Sequence, residues 1–324
     1  MRSFPFLAIL SVLAYAGCAA QIAPATSPAT AAHRTHLASN MLIFATDSGE
    51  LRYWPISQKG GRTSYLLAKL ANVKGPSAMS ASGDTIAVGV GTPSSIVLYD
   101  AASGQQTSLP EPGYALDVNY DAQGNIIVLN VIDNHHRDII VYEPPQFAPT
   151  TLSSCAFIDY NSSYIAADNE GNIYINQNIP ESATVIEIPK GPSGYTPELC
   201  SKLPIRETGS AAGLLVDAKT DNLVVFHEPD LCAGGNEAEM NVYGKPYGRG
   251  TRISKNLHGN CAGTLRFGLD DTQVYFLDGS PELHVRNSGP NDYGEHIDQR
   301  NYPGGGGHGE YRDSHLATGV ATIP

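Results

Sequence analysis

The run DAQGNIIVLN (121–130) returns 47 residues later as DNEGNIYINQN (168–178). In both, Asp, Gly and Asn precede an apolar stretch rich in Ile, Val or Tyr. Gly and Asn tolerate the positive φ of a tight hairpin connection. Ile, Val and Tyr fit a pleated, packed strand. Each run therefore reads as a turn that delivers the chain into a buried strand.

The same rhythm extends along the chain in both directions. Second strands of successive units are MLIFATD (41–47), TIAVGVG (85–91), NIIVLNV (125–131), NIYINQN (172–178), NLVVFHE (222–228) and QVYFLDG (273–279). Their starts lie 40 to 51 residues apart, the period of propeller blades. A third strand follows each one: ELRYWPI (50–56), SIVLYDA (95–101), DIIVYEP (138–144), ATVIEIP (183–189), MNVYGKP (240–246) and ELHVRNS (282–288). The first unit has no innermost strand before Met41. GVAT near the C-terminus (319–322) resembles the inner strands YALDV (114–118) and GLLVD (213–217). The expectation is an all-β, six-bladed β-propeller over residues 41–324, closed by pairing of its N- and C-terminal strands, which removes two open sheet edges. The Gly-rich stretch NYPGGGGHGEYRD (301–313) reads as a surface loop leading into the closing strand. A pair of β-sandwiches is the rival architecture.

The runs at 121–130 and 168–178 resemble the blade signature of the NHL and lactonase-like propeller superfamily, an Asp-x-x-Gly-Asn-Ile-Tyr-Val run. The resemblance implies the propeller fold. Lactonase-like relatives hold a divalent cation in the channel with Glu, Asn and Asp. Asn130 and Asn176 occupy matching places at the ends of second strands here, with His227 and Asp278 nearby in theirs, a mix that differs from the family's set.

Residues 1–17 carry a basic residue, Arg2, then an apolar stretch from Phe4 to Ala16 and a small-residue end. That order is an export signal. Thirteen residues of helix span about 20 Å, short of a bilayer core of about 30 Å. Tyr15-Ala16-Gly17-Cys18 resembles a bacterial lipobox, which implies that Cys18 becomes the first mature residue and is multiply acylated. Residues 18–40, rich in Ala, Thr, Ser and Pro, read as a tether. The expected location is a lipid-anchored position at a bacterial cell envelope, with simple secretion as the alternative.

The chain carries a formal charge of −12, and charged residues are only 16% of it. It has no basic cluster to neutralise a phosphate backbone, so no nucleic-acid partner is expected. The partners expected are the membrane, through the lipid, and an unidentified protein or small molecule; the domain itself is expected to be monomeric. Cys155, Cys200, Cys232 and Cys261 are an even count in an exported chain, which suggests two disulfides. Three pairings are open, and joining sequence neighbours gives Cys155–Cys200 and Cys232–Cys261. No spacing suggests zinc.

Loops between second and third strands gather with the inter-blade links on one face, and that geometry selects the candidate ligand-binding residues. They are Asn130, Asp133, His135, His136, Asn176, His227, Glu228 and Asp278. His135 and His136 lie beside Asp133 and Asp138, although adjacent histidines in a loop point in different directions. His227-Glu228 ends a buried strand near the channel mouth. No cofactor motif is present; oxygen ligands would favour Ca²⁺ or Mg²⁺. No GxSxG or other compact nucleophile signature occurs. The leading reading is a non-catalytic ligand- or protein-binding propeller at the cell envelope. The alternative is a metal-dependent hydrolase or lyase of the lactonase-like kind, and whether the chain is an enzyme stays open.

Overall fold

The structure is a computed structural model. It describes residues 41–323 except 47, 56–63, 74–75, 92–93, 134, 178–183, 206–209, 218–219, 229–237, 249, 258–266, 270–272, 279–295, 302–307 and 313–316; from residue 251 on, the strand backbones and Ala321 are described.

The strands make six four-stranded antiparallel sheets and one two-stranded hairpin among the described residues. The first sheet contains β1 (Met41–Thr46), β2 (Glu50–Pro55) and β3 (Tyr65–Lys69). The second is β4 (Pro76–Ser82), β5 (Thr85–Gly91), β6 (Ser94–Asp100) and β7 (Gln106–Pro110). The third is β8 (Tyr114–Tyr120), β9 (Ile126–Val131), β10 (Arg137–Glu143) and β11 (Ala148–Leu152). The fourth comprises β12 (Ser162–Ala167), β13 (Ile173–Gln177) and β14 (Thr184–Ile188), followed by a hairpin of β15 (Lys190–Gly191) and β16 (Gly194–Tyr195), and then β17 (Ser201–Lys202) at its edge. The fifth is β18 (Ser210–Val216), β19 (Leu223–Glu228), β20 (Ala238–Tyr243) and β21 (Thr251–Leu257). The sixth is β22 (Phe267–Leu269), β23 (Gln273–Asp278), β24 (His296–Asn301) and β25 (His308–Arg312). The last strand, β26 (Ala317–Ile323), joins the first sheet beside β1, with Val320 opposite Phe44 and Thr322 opposite Leu42.

The burial pattern explains why second strands read as continuous apolar runs. β1 is buried at all six positions and β9 at its first five. Both faces of such a strand are covered by neighbouring sheets. Alternate side chains of β9 point opposite ways. Ile126 and Val128 pack with Ala87, Ile96 and Leu98 of the second sheet, while Ile127 and Leu129 pack with Ile173, Ile175 and Ile186 of the fourth. One step on, Tyr174 packs with Leu223 and Val225 of the fifth. Each fully buried aliphatic side chain contributes about 1.5–3 kcal/mol. The inner strands lie against one another in the order β26, β4, β8, β12, β18, β22 and again β26. The outermost strands β7 and β11 are mostly exposed.

Two sequence expectations fail in the sixth sheet. Its third strand is β24, with His296 opposite Asp278, and not the run 282–288, which lies outside the described residues. HIDQRN has too little apolar character to announce itself, and ELHVRNS has more. Part of the Gly-rich stretch read as a loop, His308–Arg312, is the fourth strand of this sheet. An outer strand needs few apolar residues, so composition hid it.

The turns before β9 and β13 share one hydrogen-bond skeleton. Asp121 Oδ1 accepts from the backbone N–H of Gln123 and Asn125; Asp168 Oδ1 does so from Glu170 and Asn172. Gly124 and Gly171 have φ of 81° and 87°, which explains the glycine in each. The fifth-sheet turn is one residue longer, and Asp221 takes the positive φ there, at 55°.

Candidate functional site

The inner strands carry a repeated irregularity that decides where the candidate residues point. Pairing between first and second strands slips by one residue at position 77 in β4, 116 in β8, 163 in β12 and 212 in β18. The slips lie opposite Gly89/Val90, Leu129/Asn130, Asn176/Gln177 and Phe226/His227. Asn130 is therefore equivalent to Gln177 and His227, while Asn176 is equivalent to Leu129. Reading the two asparagines as matched was off by one residue, and one residue in a strand reverses the face.

Their surroundings follow from that offset. Asn176 donates from Nδ2 to the Gly213 carbonyl oxygen on β18, 3.2 Å away, tying the fourth sheet to the fifth. Its Oδ1 has no partner. Gln177 turns to the link before its own sheet, donating to the Phe157 carbonyl at 2.7 Å and Asp159 Oδ1 at 3.1 Å. Asn130 is 0% exposed, sits against Gly113 in the link before its own sheet, and neither of its side-chain polar atoms has a partner among the described residues. A Cβ on Gly113 would stand 2.4 Å from Asn130 Oδ1 and from the Val131 carbonyl oxygen. The two asparagines thus do not occupy equivalent positions in their sheets. Among the described residues, no three His, Cys, Asp or Glu side chains gather as a metal site would need.

Asp133 organises the loop after β9. Its Oδ1 accepts from the backbone N–H of His135 at 2.7 Å and of His136 at 2.9 Å, and His136 Nδ1 lies 2.8 Å from Oδ2. The hydrogen bond from the His135 backbone, then that from His136, hold the Asp133 carboxyl below the usual carboxylate range. His135 and His136 are exposed, and Asp133 orders the loop. Neighbouring Asp138, opposite Asn130 in the ladder, is pushed up by burial. The backbones of His227 and Glu228 lie in β19, opposite Ala211 and Ser210, and Asp278 ends β23. The side chains of those three lie outside the described residues, as do Cys18, Cys232 and Cys261. Cys155 and Cys200 form a disulfide, with Cα atoms 5.7 Å apart. Cys155 lies in the link between the third and fourth sheets; Cys200 follows the short 3-10 turn Pro197–Leu199, between β14 and β17.

Several residues at this end of the sheets are not among the candidate ligand-binding residues chosen from the sequence. Arg137 opens β10, and its Nε and Nη1 are buried without a partner; burial pulls its guanidinium down, against the attraction of Asp159. Gln177 Oε1 is likewise unpartnered. Around these atoms, Tyr114, Ile132, Phe157 and Tyr160 are exposed, Ile132 by 52% and Tyr160 by 56%. Tyr114 pairs with Val131 and Ser162 with Gln177, so the segments 111–113, 132–136 and 153–161 all emerge at the same edge of the third and fourth sheets. Gln177 could have been found by aligning Asp-x-x-Gly-Asn turns and counting five residues past each Asn. Arg137 and the exposed aromatics leave no such signal.

The buried carboxylates Asp121 and Asp168 lie at the other end of the second strands, in the turns. Asp121 accepts from Lys190 Nζ and Tyr195 Oη, both at 2.9 Å. Asp168 accepts from Tyr174 Oη at 2.8 Å and Lys245 Nζ at 3.2 Å. Burial pushes the Asp168 carboxyl up, but hydrogen bonds from Asn172, Tyr174 and Lys245 outweigh it and hold it below the usual value. These are paired charges that join one sheet to the next.

No family model matches the chain, and no curated protein matches it in sequence. Solved structures do match in shape. One chain of a nidogen/laminin complex superposes with a TM-score of 0.63 at 13% identity, over 88% of this chain and 98% of that one. A protein of unknown function from Bacteroides caccae gives 0.55 at 12% identity, over 87% and 98%. Hydrazine synthase from Kuenenia stuttgartiensis gives 0.50 at 14% identity, over 79% and 82%. At such identities the likeness speaks for fold alone, and with the stacked four-stranded sheets it makes this chain an all-β propeller.

Proposed function

We propose that the chain is a six-bladed propeller, its ring closed by β1 and β26, that is held at a bacterial cell envelope through an acylated Cys18 and binds a protein or small polar ligand without transforming it. The ligand sits on the face built by segments 111–113, 132–136 and 153–161. One observation carries this reading. Buried polar atoms without protein partners at Asn130, Arg137 and Gln177 lie at the same edge as exposed Tyr114, Ile132, Phe157 and Tyr160. A buried unsatisfied group costs about 1–3 kcal/mol, and such groups call for an explanation in function or bound water. Aromatic residues and arginine are also the residue types enriched where proteins bind partners.

The disulfide between Cys155 and Cys200 fits an oxidising compartment outside the cytoplasm. The net negative charge suits a neutral or basic ligand and disfavours nucleic acid.

A photo-crosslinking amino acid placed at Tyr160 or at Tyr114 tests the face in cells that make the full chain. Discrete adducts at both positions, with none from Thr107 on the outer strand β7, are expected. Equal labelling at all three, or none anywhere, contradicts the reading. Replacing Cys18→Ser should release the protein from the membrane fraction.

A further inference from the structure

Glu111 lies in the three-residue link between β7 and β8 and is 6% exposed. Its partner is Tyr142 on β10, a fully buried side chain in the cluster that joins the second and third sheets. The Tyr142 hydroxyl oxygen lies 2.7 Å from the Pro110 carbonyl oxygen and 2.7 Å from Glu111 Oε2. A phenol has one hydrogen to donate. A carbonyl can only accept, and an ionised carboxylate can only accept. One hydroxyl hydrogen shared between two acceptors at this length serves neither fully, and a proton on Glu111 relieves the shortage by supplying the second.

We propose that Glu111 and Tyr142 form a proton-dependent latch between the second and third sheets, in which protonated Glu111 donates from Oε2 to the Tyr142 oxygen while Tyr142 donates to Pro110. Loss of the proton leaves one hydroxyl hydrogen for two acceptors and an anion buried beside Tyr142. The other carboxyl oxygen, Oε1, is buried and has no partner to receive such a charge. Pro110, Pro112 and Gly113 flank Glu111 in its own segment and bring no charge. Tyr142 is the titratable group set against it from β10.

Burial pushes the Glu111 carboxyl up to about 7, against the opposing pull of its hydrogen bond with Tyr142. A folded-state value above the unfolded one means that folding takes up a proton. The stabilisation is complete below the ordinary glutamate value and is lost as pH rises through about 7. The latch also fixes the link that ends at Tyr114, so its release loosens one border of the exposed aromatic face.

Thermal unfolding of the wild type and of Glu111→Gln, compared between roughly pH 5 and roughly pH 8.5, tests this. The glutamine keeps a neutral N–H donor for Tyr142 and cannot ionise. The wild-type midpoint should fall by a few degrees relative to the variant as pH rises from the ordinary glutamate range to about 7, and then level off. Parallel curves would overturn the proposal. The carboxyl carbon-13 shift of Glu111 in the intact wild type gives the same answer without a variant. Titration near neutrality supports the latch, and titration in the ordinary glutamate range overturns it.

Discussion

Lys190 Nζ lies 2.9 Å from Asp121 Oδ2, reaching from the hairpin after β14 in the fourth sheet back to the turn before β9 in the third. The Asp121 side chain is wholly buried. Lys190 also lies over the ring of Tyr195, whose hydroxyl reaches the same carboxylate oxygen. One sheet later Lys245 and Asp168 repeat the arrangement, with Tyr247 meeting Tyr174 there. The turn that starts each strand is thus also the socket for a cation from the next sheet.

Removing the cation strands a buried anion. Lys190→Met should destabilise the fold by about 1–3 kcal/mol, because the hydrogen bonds from Gln123, Asn125 and Tyr195 soften the loss. Denaturant titration checks the value, and high salt should change it little because the pair is shielded from solvent. No loss on substitution would mean that Lys190 is a surface decoration.

The two asparagines first read as equivalent should behave oppositely. Asn176→Leu removes the bond to Gly213 and leaves that carbonyl buried, costing about 1–3 kcal/mol. Asn130→Leu replaces a side chain with no protein partner by an apolar one of similar size, so it should be neutral or stabilising by up to about 1 kcal/mol. Chemical denaturation separates the cases. If the proposed face is right, Asn130→Leu also weakens crosslinking at Tyr160 while the fold stays intact.

Gly113→Ala tests the close approach directly. The new methyl would meet both Asn130 Oδ1 and the Val131 carbonyl oxygen. Overpacking of this kind costs about 1–3 kcal/mol. Adding Asn130→Ala should recover part of the loss, since one of the two clashes is with a side chain, but the backbone oxygen stays. A fully tolerated alanine, read by the unfolding midpoint, would show that the link does not lie where it is placed.

The Cys155–Cys200 bridge encloses a 45-residue separation, for which loop-closure entropy gives roughly 4 kcal/mol. Reduction, or the double change to serine, should lower stability by about that much and expose the link that carries Phe157 and Tyr160. Unchanged unfolding with and without reductant would contradict this.

How much was legible follows from what each element must bury. The second strands β1, β5, β9, β13 and β19 were plain, since their described residues are buried almost throughout and the chain writes them as apolar runs, and β23 is written the same way. The strand β24, HIDQRN, was not legible, because Ile297 is the single aliphatic residue in the run. The Asp-x-x-Gly-Asn turns were read correctly as turns, but the sequence hides that Asp121 and Asp168 receive lysines about 70 residues away. Asp133, His135 and His136 lie in the loop after β9, at the end of the second strands to which the sequence pointed. The inner-strand bulges, which reverse the roles of Asn130 and Asn176, leave no mark in residue type. Nothing in residue type sets Glu111 apart, because its pairing with Tyr142 is made only by the fold.

The account rests on sheets arranged in a ring whose chain ends meet in the first of them. Ile43 and Ala321 are opposite partners across β1 and β26, and both are buried. The change Ile43→Cys with Ala321→Cys, oxidised and mapped by mass spectrometry of the digested protein, measures that meeting. Directly opposed strand residues lie within reach of a disulfide. The account predicts a linked peptide pair in high yield and a raised unfolding midpoint. Free thiols at both positions in the folded, oxidised protein would contradict it.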